Sequence, residues 1–407
     1  MPARGALFAA FEKGAPGGGR TFAPSAFEEV VGVKSKAAVL YEVNLPRPYA
    51  ASRPLRVEEI EIDPPRAGEV LVKVAAAGIC HSDLSVVDGT RPRPTPMVLG
   101  HEGSGVVVEV GPHVTEVRPG DHVVFSFVPT CGRCAFCAEG RPALCEPGYE
   151  ANVKGELLTG GIRFRNASAQ LLHHHLGVSC FSEYTVVSQE SLVKVDRSIP
   201  PERAAIFGCA VLTGAGAVFN TARVAPGKSV AVFGLGGVGL NVVLAARAVG
   251  AWPIVAVDLL DAKLQLAKEL GATEVVNASR QDAVAAVRDL TRGGADYAFE
   301  AVGSDRVWQQ VYAATRRGGT AIAIGLAAPT VDYRIPAVSL VGEEKRVMGC
   351  YMGSAVPTRD VPRFLQMYQA GLLPVDQLVT RHVMLDQVNE AFDALAAGEV
   401  VRQLVRF

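Results

Sequence analysis

Long hydrophobic runs and an excess of charge of either sign are both missing from this sequence. No apolar stretch reaches the ~18 residues that a membrane-spanning helix needs. The first residues show no signal-peptide pattern, because Glu12, Lys13 and the glycines at 17–19 interrupt it. Lysine and arginine total 40 against 41 acidic residues, a net charge of −1. We therefore expect a cytoplasmic protein that acts on a small molecule, with no nucleic-acid partner and no membrane partner.

The chain is long and rich in small apolar residues. Its 407 residues predict two domains, since single hydrophobic cores stop growing near about 250 to 300 residues. A hydrophobic content of 49%, a mean hydropathy of +0.22 and 42 glycines are typical of an α/β protein with buried, valine-rich parallel strands. Four of the eight cysteines fall between Cys131 and Cys145, which in a reducing compartment indicates metal ligation before disulfides.

The first half of the chain has the pattern of β structure. Residues 1–33 show no helical or strand period, so we interpret them as a flexible arm; alternatively, phenylalanines of the arm dock on a neighbouring subunit. These are Phe8, Phe11, Phe22 and Phe27. Residues 34–211 contain short valine-rich runs separated by proline and glycine turns, which predicts a compact, mostly antiparallel β domain. The runs are 36–40, 55–62, 70–77, 105–110 and 122–128.

One segment of this half breaks the β rhythm. Residues 146–177 are polar and glycine-containing, and we interpret them as a long surface loop. The segment includes His173, His174 and His175. Adjacent side chains on an irregular backbone rarely converge on one metal, so a solvated position is favoured for the three histidines over a metal site.

The second half alternates between strand and helix. Residues 212–354 carry five strand patterns with four helical patterns between them, the signature of a doubly wound parallel sheet that binds a nucleotide. The strands are predicted at 229–234, 253–258, 274–276, 296–300 and 320–324, and the helices at 237–249, 262–270, 282–290 and 306–315. Residues 355–407 add two helices and a terminal strand, and we expect them to return to the first domain.

A glycine motif opens the second half. Gly234, Gly236 and Gly239 fit G-x-G-x-x-G between a strand and a helix, and Asp258 follows nineteen residues later at the end of the next strand. The glycines let the backbone approach a pyrophosphate at a helix N-terminus, whose partial positive charge favours the anion. Asp258 would accept hydrogen bonds from ribose hydroxyls and repel a 2′-phosphate. The motif therefore predicts an NAD site, with NAD preferred over NADP.

A group of four cysteines has the spacing of a metal site. The thiols lie within fifteen residues, at Cys131, Cys134, Cys137 and Cys145. Zinc sites built from four cysteines are tetrahedral, closed and structural. An iron-sulfur cluster uses similar ligands but belongs to electron-transfer proteins, which nothing else in the sequence indicates. We predict a structural zinc.

A second group of potential ligands is dispersed along the chain. Cys80 follows an apolar strand pattern, His101 lies twenty-one residues later, and Cys209 stands just before the nucleotide-binding half. A catalytic zinc takes three protein ligands and keeps the fourth position for water or substrate. These three residues can supply that set, although their spacing alone does not select them.

The sequence resembles the zinc-dependent medium-chain alcohol dehydrogenases from about residue 36 to residue 407. The motifs that carry the resemblance are Gly78-x-Cys80-His81-Ser82-Asp83, Gly100-His101-Glu102-Gly103, the four-cysteine segment, Cys209, Thr213, the glycine turn and Arg402. The resemblance implies a GroES-like catalytic domain and a Rossmann coenzyme domain. It also implies two zinc ions per subunit, NAD, and reversible hydride transfer between a primary or secondary alcohol and its aldehyde or ketone.

The same resemblance implies roles for individual residues. Cys80, His101 and Cys209 would hold the catalytic zinc, with Glu102 behind it and Asp83 bonded to the imidazole of His101. The remaining implied roles are proton exchange with the substrate for Ser82, a pocket wall for Phe127, pyrophosphate contacts for His81 and Arg402, a ribose contact for Lys263, and coenzyme contacts for Thr213, Gly237 and Val238.

Two departures from the family pattern bear on the chemistry. Ser85 stands where many relatives carry a histidine that ends a proton relay, so the last step of the proton to solvent is not assigned. Glutathione-dependent formaldehyde dehydrogenases share the long form of the chain but carry acidic residues near the pocket mouth, where this chain has Arg91 and Arg93. S-(hydroxymethyl)glutathione dehydrogenase activity is therefore the alternative function.

Two further expectations concern the class and the assembly. A non-catalytic nucleotide-binding relative of the same fold is a second alternative, but such a protein should have lost metal ligands, and a ligand stands at every position here. The long spacing from Cys145 to Cys209 resembles that of dimeric family members. We expect a homodimer joined at the edge strand of the nucleotide-binding domain.

Overall fold

The structure is a computed structural model that describes residues 32–407. The predicted arm at 1–33 lies outside the described residues except for its last two positions, as do all four of its phenylalanines. Within the described range, the order of elements follows the predicted change from β structure to alternating strands and helices.

Ten strands precede residue 200 and contribute to two β-sheets. They are β1 (Val33–Leu40), β2 (Leu55–Ile62), β3 (Glu69–Ile79), β4 (Met97–Val98), β5 (Glu102–Val110), β6 (His122–Phe125), β7 (Phe164–Arg165), β8 (Leu171–His174), β9 (Tyr184–Ser188) and β10 (Leu192–Val195). A closed barrel has the order β1-β2-β7-β8-β4, and the other five strands join a seven-stranded sheet completed by two C-terminal strands. Most pairs are antiparallel, as predicted.

Short helices connect these strands. They are α1 (Tyr49–Ser52), α2 (His81–Val87), α3 (Ala135–Ala138), α4 (Glu146–Lys154), α5 (Pro201–Ala204) and α6 (Ala210–Gly216). Short 3-10 turns occur at Pro142–Leu144, Gln189–Ser191, Ala205–Gly208, Met352–Ser354, Val375–Leu378 and Leu385–Gln387, and a π-helical turn at Ala217–Ala222. Among residues 32–407, no single helix is long and apolar enough to cross a membrane, and one bent pair, Pro201–Gly208 with Ala210–Ala222, passes on length and composition alone.

The second half forms a parallel sheet, as predicted, but it has six strands where five were expected, because the strand Arg346–Gly349 was not predicted. Its strands are β11 (Val230–Phe233), β12 (Ile254–Asp258), β13 (Glu274–Asn277), β14 (Ala295–Glu300), β15 (Thr315–Ala323) and β16 (Arg346–Gly349), in the order β13-β12-β11-β14-β15-β16. The helices are α7 (Gly237–Ala248), α8 (Asp261–Leu270), α9 (Ala283–Leu290), α10 (Asp305–Ala314) and α11 (Ala337–Gly342). The order reverses between β11 and β14, where ligands bind at the carboxyl ends of such sheets.

Burial on both faces explains why β11 is wholly apolar. Val230 and Val232 join the core on one face of the sheet, and Ala231 and Phe233 join the core on the other. Side chains alternate across a strand, so a strand covered on both faces needs apolar residues at every position. This run leads straight into the glycine turn, which the covering layers hold at the end of the sheet.

The C-terminus returns to the first sheet. It contains α12 (Pro357–Gln369), β17 (Val379–Met384), α13 (Val388–Ala396) and β18 (Arg402–Arg406). Strand β18 pairs with β3, with Leu404 opposite Gly78. Arg402 is thereby placed beside the end of β3 that leads into Cys80. The domain ranges 34–211, 212–354 and 355–407 themselves stay predictions.

The expected surface loop at 146–177 is wrong. Helix α4 opens this segment, and β7 and β8 complete the barrel within it. His174 and His175 are 0% and 1% exposed, not solvated. The Nε2 atom of His174 accepts a hydrogen bond from the backbone N–H of Arg163 at 3.2 Å, and its ring packs 4.2 Å from that of Phe164. The polar composition of this segment therefore led to a wrong prediction of its exposure.

Candidate active site

A cavity of about 720 Å³ brings together residues from both halves of the chain. Its wall includes the cysteine and histidine motifs of the β region and the glycine turn of the parallel sheet. The predicted residues that line it are Cys80, His81, Ser82, His101, Phe127, Cys209, Thr213, Gly234, Gly236, Gly237, Val238, Asp258, Lys263 and Arg402. A metal, a dinucleotide and a substrate could therefore meet in one cavity.

Three buried donors converge on one side of this cavity. The sulfurs of Cys80 and Cys209 and the imidazole of His101 lie within 4.8 Å of one another, and the Sγ atom of Cys209 is 3.4 Å from the Nε2 atom of His101. A hydrogen bond from Cys209 lowers the pKa of Cys80 well below its ordinary value, against the effect of burial. Two sulfurs and one imidazole are a set that fits zinc with its fourth position open.

Local structure positions each donor. Cys80 directly follows β3 and caps α2, and its backbone N–H donates to the Oδ2 atom of Asp83 at 3.2 Å. His101 directly precedes β5, the neighbour of β3 in the sheet. Cys209 lies between the 3-10 turn Ala205–Gly208 and α6. Donors 129 positions apart in sequence therefore meet because one sheet and one helix start hold them.

Asp83 orients the imidazole of His101. Its Oδ1 atom lies 2.9 Å from Nδ1 of His101, and both side chains are buried. Burial lowers the pKa of His101, but the charge of Asp83 and this hydrogen bond outweigh burial and raise it. A proton held on Nδ1 leaves the lone pair of Nε2 free for a metal, which is the usual function of a carboxylate behind a ligating histidine.

The glycine turn leaves room for a ligand at one position. Gly234 has φ of +93° and follows β11, and α7 begins at Gly237. A methyl group on Gly236 would meet no atom within 4 Å, whereas one on Gly239 would lie 1.8 Å from the carbonyl oxygen of Gly234. Gly239 is therefore required for packing, and Gly236 borders open space at the N-terminus of α7. That space fits the phosphates of a dinucleotide.

Asp258 lies at the end of β12 and faces the same cavity. Its Oδ2 atom accepts from the backbone N–H of Leu235 at 2.8 Å, and Oδ1 accepts from those of Leu259 and Leu260 at 2.8 and 3.1 Å. The carboxylate thus connects β12 to the glycine turn. Its predicted contact with ribose hydroxyls would add to this structural role.

The four clustered cysteines also converge. The ligand atoms of Cys131, Cys134, Cys137 and Cys145 lie within 4.8 Å of one another, and no disulfide joins them. The backbone N–H of Cys131 donates to the Cys145 sulfur at 3.2 Å, and that of Cys134 donates to the Cys131 sulfur at 3.3 Å. A backbone hydrogen bond from Cys137 leads the effects that lower the pKa of Cys134 to about 7. Four such sulfurs fit a closed zinc site.

Two family models match the chain over these regions. Residues 66–197 match the alcohol dehydrogenase GroES-like domain, and residues 237–370 match the zinc-binding dehydrogenase. An S-(hydroxymethyl)glutathione dehydrogenase of Synechocystis sp. is 39% identical over 379 residues, which cover 92% of this chain and 100% of that protein. The chain belongs to the zinc-dependent alcohol dehydrogenase family. The predicted family and fold class are thereby confirmed.

Solved structures of related proteins agree with this family assignment. An alcohol dehydrogenase zinc-binding domain protein from Burkholderia ambifaria has a TM-score of 0.87 and 37% identity, over 92% of this chain and 99% of that one. Benzyl alcohol dehydrogenase from Acinetobacter calcoaceticus has a TM-score of 0.84 and 34% identity over the same shares. A zinc-binding dehydrogenase from Sinorhizobium meliloti, bound to NADP, has a TM-score of 0.74 and 27% identity, over 92% of this chain and 100% of that one.

The dehydrogenase is therefore a zinc-containing oxidoreductase that acts on alcohols and uses a nicotinamide nucleotide. A buried ion pair lies behind its three donors: the Nη2 atom of Arg402 donates to the Oε2 atom of Glu102 at 2.7 Å. Burial raises the pKa of Glu102 to about 7, against the lowering charge of Arg402. A methyl group on Gly237 would lie 2.7 Å from the Nε atom of Arg402, so this side chain connects the metal side with the glycine turn.

His175 is a cavity residue that contacts the donor set and that sequence reasoning did not assign to the site. Its Nδ1 atom lies 3.2 Å from the same Asp83 oxygen that bonds His101, and its ring meets the His101 ring edge-on at 5.5 Å. Burial lowers the pKa of His175, against the raising effect of Asp83. The spacing from Asp83 to His175 carries no motif. The one available signal was the apolar Leu176 and Val178 that follow, which favour burial.

The substrate side of the cavity combines predicted and unpredicted residues. Phe127 packs edge-on against His101 at 5.6 Å and against Tyr351 at 6.0 Å. Ser85 lines the cavity, and its Oγ atom donates to the carbonyl of Ser82 at 2.8 Å. Tyr351 comes from the chain after the parallel sheet, so no local pattern could assign it to a pocket formed around Phe127.

Proposed function

We propose that this dehydrogenase uses NAD to interconvert a primary or secondary alcohol with its aldehyde or ketone. The observation that carries the proposal is that Cys80, His101 and Cys209 line the same cavity as the glycine turn. A metal at the donors and a coenzyme at the turn would meet one substrate between them. The proposal includes the catalytic range 34–211, the coenzyme range 212–354 and the return at 355–407.

Cys80, His101 and Cys209 are proposed to hold the catalytic zinc, and Cys131, Cys134, Cys137 and Cys145 the structural zinc. When bound at the first site, zinc supplies a Lewis acid for the substrate oxygen. Glu102 lies behind this site and keeps Arg402 in place through their ion pair. Support for the assignment comes from the donor chemistry, from the convergence of each set and from the two family models.

The coenzyme is proposed to lie along the glycine turn, where NAD would accept the hydride from the carbinol carbon. Gly236 leaves the space for its pyrophosphate, and His81 and Arg402 face that space. Thr213, Val238 and Lys263 complete the proposed contacts from the same cavity wall. Asp258 favours NAD, because a carboxylate repels a 2′-phosphate.

Ser82 is proposed to exchange the proton of the substrate hydroxyl. It stands in the first turn of α2, two residues after Cys80, and lines the cavity. Phe127 would form the apolar wall for the substrate body. The hydroxyl of Ser85 donates a hydrogen bond to the carbonyl of Ser82 and so stabilises the helix that carries Ser82.

S-(hydroxymethyl)glutathione oxidation is the second candidate, because curated relatives at 39% identity carry that name. On this chain Arg91 and Arg93 line the cavity and would repel the ammonium group of glutathione, while they would attract its carboxylates. The first candidate is preferred as the broader of the two, and a substrate screen distinguishes them.

A homodimer and a cytoplasmic location complete the proposal. Strand β16 ends the parallel sheet, and Val338 and Val341 in α11, the helix that precedes β16 in the chain, are 88% and 77% exposed. An open edge strand and exposed valines are features suited to contact with a second copy. A mass measured in solution tests the homodimer, and a monomer contradicts it.

All eight cysteines are free, as in a reducing compartment, which supports the proposed cytoplasmic location.

An activity screen tests the proposed reaction. The zinc-replete protein is assayed with NAD and aliphatic, allylic, benzylic and glutathione-adduct alcohols, and formation of NADH is followed. We expect turnover of simple alcohols. Turnover restricted to the glutathione adduct would replace the first candidate by the second.

A further inference from the structure

Three consecutive residues next to the cavity have a left-handed backbone. Met352, Gly353 and Ser354 have φ of +49°, +66° and +47°, and they form the 3-10 turn that directly follows Tyr351. Glycine adopts this conformation freely, whereas methionine and serine are strained in it. Such strain persists only where the surrounding structure holds the residues, and it is concentrated at functional sites. We call Met352–Ser354 the left-handed turn.

The left-handed turn packs on the helix that begins at a proposed metal ligand. Helix α6 starts after Cys209 and continues into the π-helical turn Ala217–Ala222. A methyl group on Gly353 would lie 2.2 Å from the carbonyl oxygen of Leu212. One on Gly216 would lie 2.5 Å from the carbonyl oxygen of Gly353. The two backbones therefore touch, and no side chain fits between them.

Two polar side chains of the π-helical turn bond to the left-handed turn. The Nδ2 atom of Asn220 donates to the carbonyl oxygen of Gly353 at 3.2 Å. The hydroxyl oxygens of Thr221 and Ser354 lie 2.8 Å apart, and the Thr221 hydroxyl donates to the sulfur of Cys350 at 3.2 Å. π-helical turns are rare and occur frequently at functional sites. The bonds of this one hold both the left-handed turn and the residue that begins the approach to it.

The residues at the start of the left-handed turn form part of the cavity wall. Cys350, Tyr351 and Met352 line the cavity, and the ring of Tyr351 packs edge-on against Phe127 at 6.0 Å. Phe127 in turn packs edge-on against His101. The backbone of the left-handed turn therefore determines where Tyr351 lies relative to Phe127, on the side of the cavity where the metal donors converge.

We propose that Asn220 and Thr221 are positioning residues that determine substrate selectivity. They hold the left-handed turn in its strained conformation, and thereby fix the place of Tyr351 against Phe127 and the width that the cavity offers to the body of the alcohol. Neither residue lines the cavity, so each acts through the turn and not by touching substrate. The inference rests on the proposed alcohol dehydrogenase function and assigns to it a control of selectivity from outside the cavity.

Substrate selectivity tests the proposal. With NAD and zinc-replete protein, kcat and KM are measured for the largest and the smallest alcohol that the wild-type enzyme oxidises, in Thr221→Val and in Asn220→Ala. We expect the ratio of kcat/KM for the large alcohol to that for the small one to fall about threefold to tenfold in each variant. The loss should come through KM of the large alcohol, because a displaced Tyr351 no longer contacts its body. Asn220 also donates to the Oδ2 atom of Asp360 at 3.1 Å, so Thr221→Val is the more specific variant.

Two further variants separate positioning from stability. Thr221→Ser keeps the hydroxyl and should restore the wild-type ratio. Thr291→Val is the matched control, because the hydroxyl of Thr291 also makes two hydrogen bonds, with Val287 and Gly294, away from the cavity; it should lower the midpoint of thermal unfolding and leave the ratio unchanged. A wild-type ratio in both Thr221→Val and Asn220→Ala, or an equal change of the ratio in Thr291→Val, would overturn the proposal. If the wild-type enzyme oxidises no alcohol, the proposed function itself fails, which is a distinct result.

Discussion

At the scale of single residues, Asp83 is the side chain that contacts two of the three proposed metal ligands, Cys80 and His101. Its carboxylate is fully buried and receives the N–H of Cys80 on one oxygen, while His101 and His175 approach the other. Burial raises the pKa of Asp83, but the two imidazoles, His101 foremost, outweigh it, so this group stays ionised. A buried anion with three neighbours of this kind holds the geometry of a ligand as well as its tautomer.

Asp83→Asn should weaken zinc binding at the catalytic site. The amide cannot hold the Nδ1 proton of His101 as a carboxylate does, and loss of such a partner typically costs about tenfold to a hundredfold in metal affinity. Competition with a chelator measures the affinity. His175→Phe serves as the matched variant, because it removes the second imidazole and leaves the Asp83–His101 bond; it should retain more zinc than Asp83→Asn. Equal retention by wild type and Asp83→Asn would remove Asp83 from this positioning role.

Asp258→Asn should lower the preference for NAD over NADP by about tenfold or more, because it removes the charge that repels a 2′-phosphate. The asparagine oxygen still accepts from a backbone N–H, whereas Asp258→Gly also leaves Leu235, Leu259 and Leu260 without their acceptor. Both variants should change the ratio of kcat/KM for NAD to that for NADP. The glycine variant should in addition raise KM for both coenzymes. A ratio equal to that of wild type in both variants rules out the discriminating role.

Cys209→Ser should abolish turnover and lower the zinc content by one ion per subunit, with the fold retained. Cys134→Ser, in the cluster of four, should instead destabilise the protein, because a structural zinc contributes folding free energy directly. Elemental analysis, activity and thermal unfolding separate the two outcomes. Full activity in Cys209→Ser would exclude this cysteine as a ligand.

At the scale of elements, the glycine turn combines two different requirements. Gly239 is needed because the start of α7 approaches the end of β11 too closely for a side chain, whereas Gly236 borders open space in which the proposed coenzyme would lie. Alanine at Gly239 should therefore reduce the free energy of unfolding by about 3 kcal/mol, since a methyl group would meet a carbonyl oxygen at 1.8 Å.

Alanine at Gly236 should have a small effect on stability and a large effect on the binding of NAD. Its methyl group meets no protein atom within 4 Å, so the free energy of unfolding should fall by less than about 1 kcal/mol, while KM for NAD should rise about tenfold or more. Chemical denaturation and coenzyme titration measure both variants. Normal NAD binding by Gly236→Ala would show that the open space is not the coenzyme site.

Most elements could be predicted from periodicity, because the buried strands of the parallel sheet are continuous apolar runs and the helices between them start at clear signals. Strand β2 was predicted with the bounds that the structure shows, 55–62, and helix α8 within one residue. The structure of segment 146–177 could not be predicted from periodicity, because its helix and its two short strands depend on barrel contacts made by residues distant in sequence. The buried His174 lies in β8 of the barrel, where its Nε2 atom accepts from the backbone N–H of Arg163.

At the scale of the whole molecule, the motifs identified the parts of the site, and the fold determined which parts meet. The sequence predicted Gly234, Gly236 and Asp258 of the cavity from a compact motif, whereas the three metal donors and Arg402 were assigned through the family resemblance. It did not predict His175 and Tyr351, because their positions depend on β8 and on the return of the chain after β16. The contact between Phe127 and Tyr351 in the cavity wall is formed by tertiary structure alone.

The central claim is that zinc and NAD act on an alcohol at one shared site. Its most direct test is the rate of NADH formation by protein that carries two zinc ions per subunit, with simple alcohols as substrates. The account predicts alcohol-dependent NADH formation that is absent in Cys209→Ser. Absence of NADH with every alcohol, in protein shown to hold both zinc ions and to bind NAD, would contradict it.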